Sequence, residues 1–330
     1  MSTQFKKSNN NIVQRRQITV MVMAVLTVIL AILLIILIAV NIGNKQGNGK
    51  EDDTSGNSII NSQDISYTTM TVSAADTKKG NLVLVNATHE YSFPETNNRI
   101  AIWKYRKDHS AGTNAYKLGS TMLELEAEAT EALHNMFTKL YKDTGKSDLN
   151  ITSAYRSYEE QAALNSSSIK AGFSDSHTGL SFAASIYENN VTSQLTDDAN
   201  KVYYDWLVAH AHEFGYIIRY PSDKEASTGI SNYTNAFRYV GIAHATYMHN
   251  NNLCLEEYID FLKSNASFDN KISINCANGK AYIVYYVPSS GDITEIKVPS
   301  GETNPDGTAK YPYTLSGTND GGIVVTIQLN

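Results

Sequence analysis

Thr152-Ser153-Ala154-Tyr155-Arg156-Ser157-Tyr158-Glu159-Glu160-Gln161 is the stretch from which the fold of this chain reads outward. Leu149 to Ala154 has the character of a strand, and from Glu159 onward the chain turns helical. Upstream, Leu125, Ala129, Ala132, Leu133, Met136, Phe137 and Leu140 recur at helical spacing between Met122 and Leu140, the stripe of a core helix that Gly145 ends. Further back, Asn81 to Val85 alternates as a short strand. Downstream, Tyr203 to Phe214 is a third amphipathic helix, with Gly215 where a C-terminal cap is favoured. Leu255 to Lys263 is another helix, carrying Leu255, Tyr258, Ile259 and Leu262. Beyond it Ala281 to Val287, Asp292 to Val298 and Gly322 to Leu329 are rich in Ile, Val, Thr and Tyr and are separated by Pro, Gly and Asn-Asp-Gly clusters. That pattern predicts a small antiparallel all-β part. The fold class is therefore α+β.

The N-terminus adds a different signal. Ile18 to Asn44 has no charged residue, and Val20 to Val40 is almost entirely Val, Met, Leu, Ile and Ala. A helix of about 20 such residues crosses a hydrocarbon core of roughly 30 Å. Lys6, Lys7, Arg15 and Arg16 precede it, whereas Glu51, Asp52 and Asp53 follow, so the positive-inside bias sends the rest of the chain outward. A cleaved signal peptide fits less well, because its apolar region runs about 7 to 15 residues and ends in a small-x-small site. The expected organisation is a cytoplasmic tail (1–17), a transmembrane helix (18–43), a flexible Gly-, Asn-, Ser- and Asp-rich linker (44–66), a main domain (67–266) and a small β-rich domain (267–330). The membrane is thus an expected partner, with the main domain outside the cell.

A net charge of −6 and a pI near 5.8 give no basic footprint and argue against nucleic acid. Cys254 and Cys276 are the two cysteines. Outside the cytoplasm a Cys254–Cys276 disulfide is possible, provided their Cα atoms lie within about 7 Å.

Three blocks in the middle of the chain resemble the VanY-type zinc D-alanyl-D-alanine carboxypeptidases. The opening stretch is close to that family's Ser-Gly-Tyr-Arg-Ser-x-x-x-Gln signature. The second block is Ser174-Asp175-Ser176-His177-Thr178-Gly179-Leu180. The third runs from Trp206 through Phe214-Gly215-Tyr216-Ile217-Ile218-Arg219-Tyr220-Pro221 to Phe237-Arg238-Tyr239-Val240-Gly241, and a Leu-Glu-Glu-Tyr ending stands at Leu255 to Tyr258. The resemblance implies a few-stranded antiparallel sheet flanked by helices, with the active cleft on one sheet face. Arg156 falls on the family's arginine that helps bind and polarise substrate. Tyr155, Ser157, Gln161, Ser174, Asp175 and Thr178 also remain from the cleft-lining blocks, and His177 stands beside them as a further binding candidate.

The chemistry of the family needs zinc held by two imidazoles and a carboxylate, an open position for water, and a separate carboxylate as base. Laid without gaps, the first zinc His falls on Ser176, the Asp on Ala183, the base on Tyr233 and the second zinc His on Ala236. No metal is therefore expected, although zinc is the family's cofactor. A slip of one residue promotes His177 but brings Ala184 to the carboxylate position, and no His lies between Asp223 and Gly241. His210 and His212, two apart, point to different faces of a helix, as do His244 and His249. No Gly-x-Ser-x-Gly elbow or Ser-x-x-Lys motif is visible.

Three functions stay open at this level. One is an inactive carboxypeptidase-like protein that binds peptidoglycan stem peptide or an envelope protein. Another is an active D,D- or L,D-carboxypeptidase with an atypical metal site. The third is a structural or interaction protein acting through its β-rich C-terminal part.

Overall fold

Residues 65–110, 114–164, 169–231 and 233–329 are described by the computed structural model. The expected tail and transmembrane helix, and all but the end of the linker, lie outside these residues. Among the described residues no helix is long and apolar enough to cross a membrane.

The first half of the chain forms β1 (Tyr67–Ser73), β2 (Arg99–Ala101), α1 (Ile102–His109), β3 (Lys117–Leu118), β4 (Glu124–Glu126), α2 (Ala127–Thr144), β5 (Leu149–Ser153) and α3 (Tyr158–Ala162). Then come β6 (Ser181–Glu188), β7 (Val191–Ser193), α4 (Lys201–His210), β8 (Tyr216–Ile218), α5 (Glu225–Thr228), β9 (Ala236–Tyr239), α6 (Ile242–Asn250) and α7 (Leu255–Asn265). The C-terminal strands are β10 (Ile272–Asn275), β11 (Ala281–Pro288), β12 (Ile293–Pro299), β13 (Tyr313–Gly317) and β14 (Gly322–Gln328).

The central sheet has the order β3-β5-β6-β9-β8, with β7 added beside β6. It is antiparallel except for the short β3–β5 pair. The stripe on α2 packs Ala129, Leu133, Met136, Phe137 and Leu140 onto Ile151, Phe182, Ala184, Ile186 and Phe237 of this sheet. Gly145 ends α2 at φ 70° in the left-handed cap that glycine adopts without a Cβ penalty. Gly215 is required twice over, because its φ is 82° and a Cβ there would stand 2.7 Å from the Tyr239 ring.

β6 shows how the sheet is used on both sides. Successive strand residues point to opposite faces, so Phe182, Ala184 and Ile186 enter the α2 core while Ser181 and Ala183 face the other way. The second face is where a cavity forms.

The C-terminal strands make a four-stranded sheet in the order β10-β11-β14-β13, and β12 pairs with β1 from the other end of the described chain. Val284, Tyr286 and Val324 pack with Leu255, Tyr258, Ile259 and Leu262 of α7 and with Leu82, Leu84 and Val240. Ile283, Tyr285, Val325 and Ile327 pack on the other side with Val72, Ile296 and Val298.

The alternation at Asn81 to Val85 does not produce a strand. Leu82 to Val85 are buried, yet they join no ladder. The Leu84 amide donates to the Thr318 carbonyl at 2.9 Å and the Leu82 amide to Ser316 Oγ at 2.8 Å. The carbonyls of Asn81 and Val83 accept from Arg238 at 3.0 and 2.9 Å, and that of Val85 from Arg219 at 3.4 Å. Two guanidinium groups thus replace the neighbouring strand that the pattern anticipates.

Arg219 and Arg238 have no exposed surface. Arg219 grips Glu256 through two bonds of 2.9 and 2.8 Å. Its Nε lies 3.2 Å from Asp175 Oδ1, an ion pair without hydrogen-bond alignment. Arg238 donates to the same Asp175 oxygen, and Ser181 donates its hydroxyl to the other. Burial pushes the Asp175 carboxyl upward, but Arg238 and Arg219 outweigh it and hold the group below the usual carboxylate range. The Asp175→Asn variant keeps the shape and leaves two buried cations sharing one carboxylate. Its unfolding free energy in urea is expected to fall by about 3–5 kcal/mol, the cost of breaking a buried ion pair from one side. A loss below about 1 kcal/mol would contradict this role.

Candidate functional site

On the face of the central sheet away from α2 lies a cavity of about 380 Å³. Its walls include Ser153, Arg156, Gln161, Ser174, Asp175, Ser176, Ser181, Ala183, Arg219, Tyr220, Tyr233 and Ala236. The four positions at which the resemblance puts ligands and base, Ser176, Ala183, Tyr233 and Ala236, all line this one space. Ala183 and Ala236 are direct cross-strand partners on β6 and β9. Ser176 sits on the 3-10 turn Asp175–Thr178, and Tyr233 precedes β9 with its ring 5.7 Å from that of Tyr220.

These four side chains offer two methyl groups, an alcohol and a phenol, which is not a zinc donor set. Asp175, the carboxylate on the wall, is consumed by Arg238, Arg219 and Ser181. Among the described residues no group of three or more His, Cys, Asp or Glu side chains is placed to hold a metal ion. The family's metal does not fit this cavity.

The binding candidates separate into two groups. Arg156, Gln161 and Ser174 line the cavity. Arg156 donates to Gln161 Oε1 at 2.8 Å, and no carboxylate of the described residues lies within ion-pairing distance of it. Asp175 also lines the space, but as the hub of the buried charge chain rather than as a free ligand group.

Ser157, His177 and Thr178 depart from expectation. Ser157 caps α3, accepting the Glu160 amide at 3.1 Å, because a short helix leaves amides that need a partner. Thr178 closes its own turn by donating to the Asp175 carbonyl at 2.7 Å. His177 is fully buried, and both ring nitrogens are used: Nδ1 donates to the Arg156 carbonyl at 2.7 Å and Nε2 accepts the Gly172 amide at 3.0 Å. Burial holds its pKa below the usual histidine range. It supports Arg156 from behind and leaves no lone pair for a ligand.

The disulfide is not formed. Cys254 and Cys276 are separate buried thiols. Cys254 sits at the N-cap of α7, whose third residue Glu257 returns a bond to the Cys254 amide at 3.1 Å, while Cys276 packs in the core beside β10.

Arg219, Tyr220, Ser181 and Ser153 were not singled out from sequence, yet all face the cavity. The period of two along β6 carries a signal for Ser181, since it shares a face with Ala183. For Arg219 and Tyr220 the only hint was their place in the third block.

The fold is an α+β domain whose central, largely antiparallel sheet carries a helical core on one face and this cavity on the other. Residues 122–242 match the family of VanY, D-alanyl-D-alanine carboxypeptidase. A D-alanyl-D-alanine carboxypeptidase of Enterococcus faecium is 30% identical over 262 residues, 78% of this chain and 78% of its own. The putative carboxypeptidase YodJ of Bacillus subtilis is 32% identical over 156 residues, 42% of this chain and 55% of that protein. Among solved structures, the vancomycin-resistance D,D-dipeptidase VanXYg in complex with a D-Ala-D-Ala phosphinate analogue matches with a TM-score of 0.64. That match has 26% identity and covers 80% of this chain and 99% of the other. The chain belongs to the VanY D-alanyl-D-alanine carboxypeptidase family.

His244, His212 and His249 serve the scaffold. His244 bridges Tyr258 Oη at 2.8 Å and Thr326 Oγ1 at 2.9 Å, and burial lowers its pKa to about 4. His212 stacks on His249 with ring centroids 3.8 Å apart, and burial followed by the His249 charge lowers it to about 4. A histidine whose folded pKa lies below its unfolded value of about 6.5 contributes stability that is complete above that pH and is lost as pH falls toward the folded value. The denaturation midpoint is therefore expected to drop between about pH 6.5 and 4. His244→Gln should show a shallower decline over that window. A midpoint flat from neutrality to about pH 4.5 would refute the assignment.

Proposed function

We propose that this chain is a non-hydrolytic VanY-type protein, anchored in the cell membrane with its main domain outside, whose cavity holds the C-terminal end of a peptidoglycan stem peptide without cutting it. The observation that carries this reading is the meeting of Ser176, Ala183, Tyr233 and Ala236 in one cavity whose wall keeps Arg156. Hydrolysis in the family depends on the metal and a base, and neither role has a competent side chain here. Binding depends only on shape and partners. Arg156 is a planar cation suited to a carboxylate, and the serine hydroxyls around it donate or accept as a peptide requires. The D-Ala-D-Ala phosphinate analogue in complex with VanXYg and the substrate in the name of the Enterococcus faecium relative support a D-alanyl-D-alanine terminus as the ligand. Membrane anchoring rests on the apolar run from Ile18 to Asn44 alone.

Two measurements test it. Titration calorimetry of the full-length chain with a D-alanyl-D-alanine peptide is expected to give binding that Arg156→Ala weakens about tenfold or more, the value of a charged hydrogen-bonded contact. No heat at millimolar peptide would end the peptide-binding reading. Metal analysis after zinc loading is expected to find far less than one zinc per chain. The quadruple variant S176H/A183D/Y233E/A236H is expected to take up about one zinc per chain and to release D-alanine. Stoichiometric zinc or D-alanine release by the unmodified chain would overturn inactivity.

A further inference from the structure

A second cavity, of about 510 Å³, shares no lining residue with the first. The period of two along the C-terminal sheet explains why it forms. On the face turned to α7, Val284 and Val324 are buried in the core; two residues away on that same face stand Tyr282 of β11 and Thr326 of β14. Both of these line the cavity, and the edge strand β13 adds Tyr313 and Thr314. The facing wall is the start of α2, with Glu126 and Glu128, and the neighbouring Asn98. Tyr239, at the end of β9, lies between the two walls with its ring backed by that of Tyr216 at 5.4 Å. A space of this size is within the range of small-molecule sites.

Charge decides what class of ligand suits it. No Lys or Arg is among the described residues that line the space, and His244, which is, has both ring nitrogens engaged by Tyr258 and Thr326. Glu126 accepts the Asn98 backbone amide at 3.1 Å and Glu128 the Asn81 side-chain amide at 3.3 Å, and neither has an ion-pair partner among the described residues. Burial raises the Glu126 carboxyl above its usual range, against the Asn98 bond and the Arg99 charge. An anion therefore meets two carboxylates here and nothing to pair with. A lone ammonium would use the carboxylates and leave the other polar groups unmatched. Those groups are three phenols and the Thr314 hydroxyl, which donate and accept, and the Asn98 side-chain amide. A polyhydroxylated ring uses the whole set: each of its hydroxyls donates and accepts, and its C–H faces lie against tyrosine rings.

We propose that this second cavity is a carbohydrate site, which takes a neutral pyranose chain between Tyr282 and Tyr313 on the sheet side and Glu126 and Glu128 on the helix side. It is separate from the cavity read above as a peptide site, and it stands whether or not a peptide binds there.

The test is titration calorimetry of the full-length chain with the N-acetylglucosamine trimer, maltotriose and the cationic glucosamine trimer. At least one neutral trimer is expected to bind at millimolar concentration or below, and which of the two binds identifies the kind of glycan. Because the ligand carries no charge, its affinity is expected to stay within about twofold between low and high salt. Tyr313→Ala is expected to weaken it about tenfold and Glu128→Gln about three- to tenfold, whereas Tyr313→Phe, which keeps the ring, stays near the unmodified chain. Tyr313 and Glu128 are both exposed, so these variants should keep the urea midpoint of the unmodified chain, which verifies their fold. Absence of binding by both neutral trimers at millimolar concentration overturns the carbohydrate site, as does binding that survives both Tyr313→Ala and Glu128→Gln. A glucosamine trimer that binds about tenfold more tightly than either neutral trimer, and loses that lead at high salt, marks an ammonium site and overturns it equally.

Discussion

Arg219 and Arg238, both without exposed surface, share the carboxylate of Asp175, and Arg219 reaches on to Glu256. Two cations and two anions balance, which is the condition for burying charge at all. The chain of groups joins β8, β9, the turn that carries Ser176, and the first turn of α7. Through their remaining donors the two guanidiniums also hold the carbonyls of Asn81, Val83 and Val85. A segment that would otherwise bury unpaired backbone is thereby satisfied. The cavity wall and the packing between sheet and α7 rest on the same ion chain. Asp175 could not leave this arrangement to serve a ligand without leaving two buried arginines short of charge.

The cavity shows how a fold and its chemistry come apart. The sheet, the α2 core and the turn Asp175–Thr178 bring Ser176, Ala183, Tyr233 and Ala236 together, because strand register and loop geometry set where those positions stand. What those positions do is a matter of side-chain atoms alone. Methyl groups on facing strands donate to nothing, so the positions on which the resemblance puts a metal site stand together here without its donors. Arg156 is a separate case, since its backbone is tied to the Ser176 carbonyl and to His177, and its guanidinium is steadied by Gln161. Such support fits a group that must point in one direction.

Several parts of this were legible from residues. The stripe from Ala129 to Leu140 gave α2, Gly145 and Gly215 gave helix ends, and the Val-, Ile- and Tyr-rich runs gave β11, β12 and β14. Other parts misled for identifiable reasons. Asn81 to Val85 alternates like a strand, but alternation reports burial on a pleated backbone and not which group will pair with it. His177 stands beside Ser176 in sequence, yet adjacent residues in a tight turn face opposite ways, and it points into the scaffold. Cys254 and Cys276 look like a pair only when counted; a helix cap holds one and the core beside β10 holds the other.

By itself the sequence determined which atoms this protein has at the four decisive positions, because alanine carries no donor wherever it is placed. It also determined the helices and strands whose periods are long enough to be unambiguous. Only the tertiary structure decided that these four positions share one cavity, that Arg219 and Arg238 are spent on Asp175 and Glu256, and that Arg156 is not. Those outcomes depend on contacts between residues far apart in the chain, 63 positions for Arg238 with Asp175 and 37 for Arg219 with Glu256. Local pattern carries no record of such contacts, since burial and charge pairing are settled only when the elements pack.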